Sequence, residues 1–157
     1  MIIITLFLIG LFIGSFLGVL TDRMPFNRPF LTGRSRCDKC KKELGILDLI
    51  PVLSFIFSEG KCRYCGVKLS LFYPIIEVST GILFVLTHIF VITNFSSQGG
   101  SAFGGQFPIS NFQLIYYLII TSSLIVIFFT DLKYGVIPNK IIIPTILITL
   151  VFLIINH

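Results

Sequence analysis

The feature that most constrains this chain is a series of long apolar runs with almost no charge inside them. Residues 1–20, 73–93 and 113–130 are each about long enough to cross the ~30 Å hydrocarbon layer of a bilayer as a helix, and residues 141–155 form a shorter fourth run. Helices are expected because a bilayer offers the backbone no water to bond with. Only 12% of the 157 residues are charged, far below the share in soluble domains. The sequence therefore predicts an all-α polytopic membrane protein with about four transmembrane helices.

The basic residues indicate how these helices are oriented. Ten of the 12 lysines and arginines lie in residues 21–72, and the other two, Lys133 and Lys140, lie in residues 131–140. Residues 94–112 carry no charge. Basic loops tend to stay in the cytoplasm, so we predict that residues 21–72 and 131–140 are cytoplasmic, that residues 94–112 are external and that the N-terminus is outside.

The first apolar run has two informative features. No basic residue precedes it and no small-residue cleavage site follows it, so we expect a retained helix rather than a signal peptide. Gly10, Gly14 and Gly18 recur at four-residue spacing, which puts a flat strip on one helix face. This strip predicts close packing against another helix.

The net charge of +5 suggests a membrane partner. Anionic lipid on the cytoplasmic leaflet accounts for a basic loop beside the bilayer. No nucleic-acid partner is expected, because the loop has few aromatic side chains on which bases would stack.

All four cysteines lie in the basic loop, as the pairs Cys37-x2-Cys40 and Cys62-x2-Cys65 with 21 residues between them. Two tight turns that each supply two thiolates complete a tetrahedral zinc site, and four protein ligands make such a zinc structural. Gly66 suits the second turn, whereas the first pair lacks an equivalent glycine. Disulfides and free thiols are the alternatives, and a reducing cytoplasm weighs against disulfides.

Two acids lie within or at the edge of the apolar runs. Ionisable groups at such positions are costly and suggest function. Asp131 ends the third run, and Glu77 lies about one turn inside the second. Both are expected at similar depth on the same side, so they could share a site. The alternatives are that Lys133 neutralises Asp131 at the interface and that Glu77 bonds to a neighbouring helix.

A further apolar stretch, residues 46–57, contains Asp48 and Pro51 and is too short to span a bilayer. It is expected to lie at the membrane surface or to cover the cysteine site.

Several motifs, in order along nearly the whole chain, resemble the type IV prepilin peptidases (leader peptidase/N-methyltransferase). They are Gly14-Ser15-Phe16-Leu17, Gly33-Arg34-Ser35-Arg36 before Cys37, Asp48 to Ser54, Gly60 to Gly66, Tyr73-Pro74-x2-Glu77, Asp131-Leu132 and Ile137-Pro138. The resemblance implies a multi-pass aspartic endopeptidase of the bacterial inner membrane. Such enzymes remove short basic leader peptides from type IV pilins and pseudopilins. Many then methylate the new N-terminus with S-adenosylmethionine.

The resemblance carries over to only some residues. Asp131 matches the first of two catalytic aspartates, Cys37, Cys40, Cys62 and Cys65 match the cytoplasmic zinc loop, and Glu77 matches an acid that serves here as a possible supporting acid. Gly18, Asp38 and Phe72 stand where the family usually has asparagine, proline and a basic residue. The Gly-x-Gly-Asp motif of the second catalytic aspartate is absent from the sequence.

An aspartic mechanism needs two adjacent carboxylates with different protonation states. We therefore expect this chain to be an N-terminal fragment or half-enzyme, with a homodimer or an Asp131–Glu77 pair as less favoured sources of the second acid. The contrasting hypothesis is a non-catalytic membrane module whose zinc loop binds a partner protein or anionic lipid.

Overall fold

The computed structural model describes residues 1–29, 35–37, 39–97 and 109–156. Within these ranges the regular secondary structure is helical, and the only strand-like pairings are two isolated bridges in the loop. The helices are α1 (Ile2–Arg23), α2 (Leu53–Phe57), α3 (Phe72–Ser97), α4 (Ile109–Tyr134) and α5 (Asn139–Asn156), with short 3-10 turns at Met24–Phe26 and Ile46–Leu49. Gly33, Arg34, Asp38 and most of the predicted external loop lie outside the described residues.

Three helical segments are long and apolar enough to cross a membrane, namely Ile2–Phe26, Phe72–Thr93 and Phe112–Tyr134. The apolar part of α5, Asn139–Ile155, is shorter. The all-α polytopic membrane fold is thereby confirmed. The four predicted runs correspond to three long helices and one short one.

The tightest contact in the bundle joins α1 to α3 through glycines. A Cβ on Gly10 would lie 2.6 Å from the Cα of Gly81, and a Cβ on Gly14 would lie 2.7 Å from the Cα of Glu77. Only hydrogen atoms fit at these two positions, so the helix backbones touch. A Cβ on Gly18 would meet the Tyr73 ring at 3.3 Å. The close packing predicted from the glycine spacing is confirmed.

One end of the bundle contains a buried apolar cluster to which α1, α3, α4 and α5 all contribute. Its members are Leu17, Leu20, Ile76, Ile125, Val126, Phe129 and Ile141. They come from the end of α1, the start of α3, the end of α4 and the start of α5. The loop between α1 and α3 and the turn between α4 and α5 therefore lie at the same end, which we call the loop end.

Helix α4 runs through Asp131 and ends at Tyr134. The helix stops at Gly135, whose φ of +62° is the left-handed conformation that glycine adopts without a steric penalty. Asp131 thus lies in the last turn of a helix, and the turn that follows begins at Gly135.

The glycine contacts predict a graded loss of stability. Gly10→Ala and Gly14→Ala force two backbones apart and should each destabilise the fold by about 1–3 kcal/mol, whereas Gly18→Ala meets a side-chain ring that can shift and should cost under about 1 kcal/mol. Unfolding midpoints in mixed detergent–SDS micelles measure this series. Equal effects of all three variants would contradict the backbone contact.

Candidate functional site

The two cysteine pairs lie in turns of the same shape. The amide of Cys37 donates to the carbonyl of Lys42 at 3.0 Å, and the amide of Cys62 donates to the carbonyl of Val67 at 2.8 Å. Each turn is closed by an isolated bridge between positions seven apart, Arg36 with Glu43 and Lys61 with Lys68. The loop therefore contains two equivalent turns, each presenting two thiols.

The residue after the second cysteine of each pair has a positive φ. This angle is +57° at Lys41 and +68° at Gly66. Glycine adopts it freely, while a residue with a Cβ is disfavoured there. Sequence reasoning identified Gly66 but not Lys41. The signal was available, because Lys41 follows the first cysteine pair as Gly66 follows the second.

The two turns bring all four thiols together. The sulfurs of Cys37, Cys40, Cys62 and Cys65 lie within 4.8 Å of one another, with 3.8 Å between Cys37 and Cys65. Cys37 and Cys62 are buried, and the other two are exposed. Four sulfurs at this spacing are positioned to hold a metal ion, as the sequence predicted.

Two of the four thiols have shifted pKa values. Backbone amides of Cys40 and Lys39 donate to the Cys37 sulfur and lower the pKa of that thiol to about 6. The Val67 amide acts in the same direction on Cys65, but desolvation and the three neighbouring thiols outweigh it and raise the pKa of Cys65 to about 11. The Cys37 thiolate therefore forms readily, whereas the Cys65 thiol tends to keep its proton. A divalent cation bound between the sulfurs would favour the thiolate form of both.

Residues 46–57 connect the cysteine turns to the helices. Asp48 accepts a hydrogen bond from the Gly45 amide at 3.0 Å and faces Arg63 of the second cysteine turn at 3.4 Å. Four residues later, the Val52 amide donates to Oε2 of Glu77 at 2.7 Å. These contacts link the stretch to the second cysteine turn on one side and to helix α3 on the other.

Glu77 is 7% exposed and lies where α3 meets α1. Its Cα faces Gly14, and the hydroxyl of Ser15 also interacts with its carboxylate. Glu77 thus bonds to the loop backbone and lies against the neighbouring helix α1.

Asp131 is exposed at the loop end of α4. Its carboxylate makes no ion pair or hydrogen bond with the part of the chain that the structure describes, Glu77 and Lys133 included. The two acids lie at the same end of the bundle but are not in contact.

Lys133 pairs with Asp22 instead. Its ammonium donates to Asp22 at 2.5 Å, and the hydroxyls of Tyr73 and Tyr134 donate to the same carboxylate, the latter at 3.0 Å. This cluster ties the ends of α1 and α4 to the start of α3. Sequence reasoning missed this cluster. A signal was available, because the first and third predicted spans end on the same side, and the oppositely charged Asp22 and Lys133 follow those two ends.

Two departures from the family pattern have packing roles here. Phe72 packs edge-on against Phe129, with ring centroids 5.7 Å apart, and receives the Lys133 ammonium 4.1 Å from its ring centre. Gly18 leaves room for the ring of Tyr73.

The two left-handed positions generate a prediction about metal binding. Lys41→Gly should tighten Zn²⁺ binding several-fold because it removes the steric cost of a positive φ, and Gly66→Ala should weaken it about tenfold. Competition with a chromogenic chelator, using the detergent-solubilised chain, measures both. Lys41→Gln is the control that removes the charge but keeps the steric cost. An equal gain in Lys41→Gln and Lys41→Gly would contradict the backbone explanation.

Comparison with known proteins agrees with this geometry. Residues 8–91 match the Bacterial Peptidase A24 N-terminal domain. That match begins in α1, includes both cysteine turns and extends into α3 beyond Glu77. No solved structure matches the chain significantly.

Curated relatives match over most of the chain. The prepilin leader peptidase/N-methyltransferase of Bacillus subtilis (strain 168) is 36% identical over 138 residues, which are 88% of this chain and 49% of the relative. Those of Myxococcus xanthus (strain DK1622) and Neisseria gonorrhoeae are 32% and 29% identical, over 88% and 92% of this chain and 36% and 53% of their own lengths. The chain thus spans about half or less of the relatives it matches. The chain belongs to the bacterial peptidase A24 family, whose N-terminal domain its residues 8–91 match.

Proposed function

We propose that this chain is the N-terminal part of a prepilin leader peptidase that removes basic leader peptides from type IV prepilins or pseudopilins. The observation that carries the proposal is the match of 88% of the chain to the Bacillus subtilis prepilin leader peptidase/N-methyltransferase. The same likeness and the concentration of basic residues in residues 21–72 support a site in the bacterial inner membrane, with the loop end in the cytoplasm and the N-terminus outside.

Asp131 supplies one of the two carboxylates of the reaction. Its exposed side chain at the loop end is accessible to a peptide that lies at the membrane boundary. In an aspartic mechanism, the ionised carboxylate takes a proton from water as the oxygen attacks the scissile carbonyl carbon. The protonated partner donates to the departing nitrogen as the C–N bond breaks. The two carboxyl groups must be close, so that only one is ionised.

The second carboxylate does not come from another described acid of the same copy of the chain. Among the described acids, each one other than Asp131 already has a partner. Asp22 binds Lys133, Glu43 binds Arg36, Asp48 binds the Gly45 amide, Glu59 faces Lys61, and Glu77 binds the Val52 amide. A polypeptide segment that carries the second acid, either in a longer form of the chain or as a separate half, would complete the pair. A second copy of this chain is the other possible source.

The substrate's chemistry suits the loop end. A groove of about 600 Å³ between α3 and α4 is lined mainly by apolar side chains, together with Ser79, Thr87 and Thr121. On α4 it includes Leu124 and Phe128, and Asp131 lies about one turn further along a similar helix face. An apolar segment of a substrate can therefore remain in the bilayer while the bond after its basic leader meets Asp131.

Zinc is the metal that we propose for the thiol cluster. Cys37, Cys40, Cys62 and Cys65 would hold it, and four thiolates leave no open position for chemistry on the ion. Its role is to hold two parts of the loop together where no soluble core exists. Methylation of the new N-terminus with S-adenosylmethionine follows cleavage in this proposal, because the curated relatives are named as N-methyltransferases. No residue of the chain is assigned to that step.

Anionic lipid is a further partner in this proposal. Basic side chains are exposed on both cysteine turns, at Lys39, Lys41, Lys42, Lys61, Arg63 and Lys68. Such residues beside a bilayer attract anionic headgroups. Retention of anionic lipid by the purified chain should fall as salt is raised, and salt-independent retention would contradict an electrostatic contact.

A cleavage assay in vesicles tests the proposal. The chain alone should leave a prepilin uncut, and addition of a polypeptide that carries the second acid should restore cutting. Asp131→Asn should abolish the restored activity by at least about a thousandfold, because the amide can neither accept the proton from water nor share one with its partner. Glu59→Gln, in which an exposed loop acid is changed, is the matched control and should cut normally.

The other outcomes are equally informative. Efficient cutting by the chain alone that is lost in Asp131→Ala would contradict an external second acid and favour a pair of copies. Cutting that survives Asp131→Asn would refute the assignment of Asp131.

A further inference from the structure

The loop contains a strained turn at Val52. Its φ of +60° and ψ of −48° belong to a γ-turn, in which the Leu53 amide donates to the Pro51 carbonyl at 2.5 Å. This conformation is rare, and a β-branched side chain makes it a genuine outlier. Residues held in this way persist only where surrounding contacts stabilise them.

The contact that stabilises the turn is made by a membrane helix. The Val52 amide points out of the turn and donates to Oε2 of Glu77 at 2.7 Å. Low surrounding polarity strengthens a hydrogen bond of this kind. Glu77 is 7% exposed, so water competes little for this bond.

Glu77 itself lies at the close backbone contact between α1 and α3. The absence of a side chain on Gly14 lets α1 approach the Glu77 backbone, and Ser15 interacts with its carboxylate. On the loop side, Val52 is four residues from Asp48, which pairs with Arg63 between two of the metal-binding cysteines. One continuous series of contacts therefore joins the thiol cluster to the α1/α3 pair, and Glu77 is its link to the membrane helices.

We propose that Glu77 is a positioning residue that holds the Val52 turn and so docks the four-cysteine loop on the α1/α3 pair, and that it is not the second acid of the reaction. Only the identity of the reaction rests on the proposed function, since the docking stands on the geometry alone. The carboxylate already accepts from the loop backbone, and it does not contact Asp131 in the described part of the chain.

Hydrogen exchange of the full chain in nanodiscs tests the docking without any substrate. Glu77→Ala removes the acceptor, so amides of residues 48–57 should exchange on the order of tenfold faster. Glu77→Gln keeps an oxygen that can accept from Val52 and should exchange within about threefold of the unmodified chain. Glu59→Gln, which alters an acid in the same loop, is the matched control and should have no effect.

A second variant keeps the test decisive if Glu77→Ala unfolds. Val52→Gly retains the amide and removes the steric cost of the positive φ, so it should slow exchange of residues 48–57 and partly rescue Glu77→Ala. Exchange that is unchanged in Glu77→Ala, or that rises equally in Glu77→Gln and Glu77→Ala, would overturn the proposal. Lack of any benefit from Val52→Gly would also count against it.

A prepilin cleavage assay distinguishes failure of this proposal from failure of the proposed function. With the second acid supplied, Glu77→Gln should keep cutting within a few-fold of normal, whereas loss as complete as that in Asp131→Asn would make Glu77 a catalytic acid. If Asp131→Asn has no effect, the proposed function fails, and the exchange results still decide whether Glu77 docks the loop.

Discussion

The structure depends on the contact between the backbones of α1 and α3. Apolar surface alone cannot drive this pairing in a bilayer, because lipid tails are as apolar as the helices. Close approach supplies the dispersion contacts instead, and it is possible only because Gly10 and Gly14 have no side chains. The pairing also fixes Glu77 at the loop end, and the buried cluster there attaches α4 and α5 to the pair. The placement of the loop and of Asp131 follows from this single interface.

The loop between α1 and α3 is stabilised in a different way. Few side chains are buried in the described part of the loop, so it needs restraints other than a core of its own. Convergence of four thiols fastens its two cysteine turns to each other, and the contacts at Asp48 and Val52 fasten the remainder to the helices. The strained geometry at Val52 is compatible with a folded loop because the buried hydrogen bond from its amide to Glu77 offsets part of its cost.

Sequence reasoning succeeded where the determining pattern was local. The apolar runs predicted the helices, the glycine spacing predicted the packing face of α1, and the spacing of the cysteines predicted their convergence. It missed contacts made between distant parts of the chain. Asp22 and Lys133 are 111 residues apart, so no periodicity or spacing links them.

The partner of Glu77 was hidden for another reason. It is a backbone amide in a loop, and the sequence of residues 50–54 does not reveal that Val52 has a positive φ. The same limit applies to Lys41, whose conformation is clear only by comparison with Gly66. The chemistry of the side chains was therefore predictable at both sites. The backbone conformations of Val52 and Lys41 became known only from the structure.

The most direct test of the proposed function is whether, and where, a prepilin contacts this chain, because a contact can be measured even when the second acid is absent. A photo-cross-linking amino acid in place of Leu132, which is 67% exposed beside Asp131, should cross-link to the junction between the basic leader and the apolar segment. The same group can replace Ile115, which is exposed nearer the start of α4, about 25 Å from Leu132. From there it should reach only the apolar segment or nothing. Cross-linking of the junction from position 115 but not from position 132 would contradict the account.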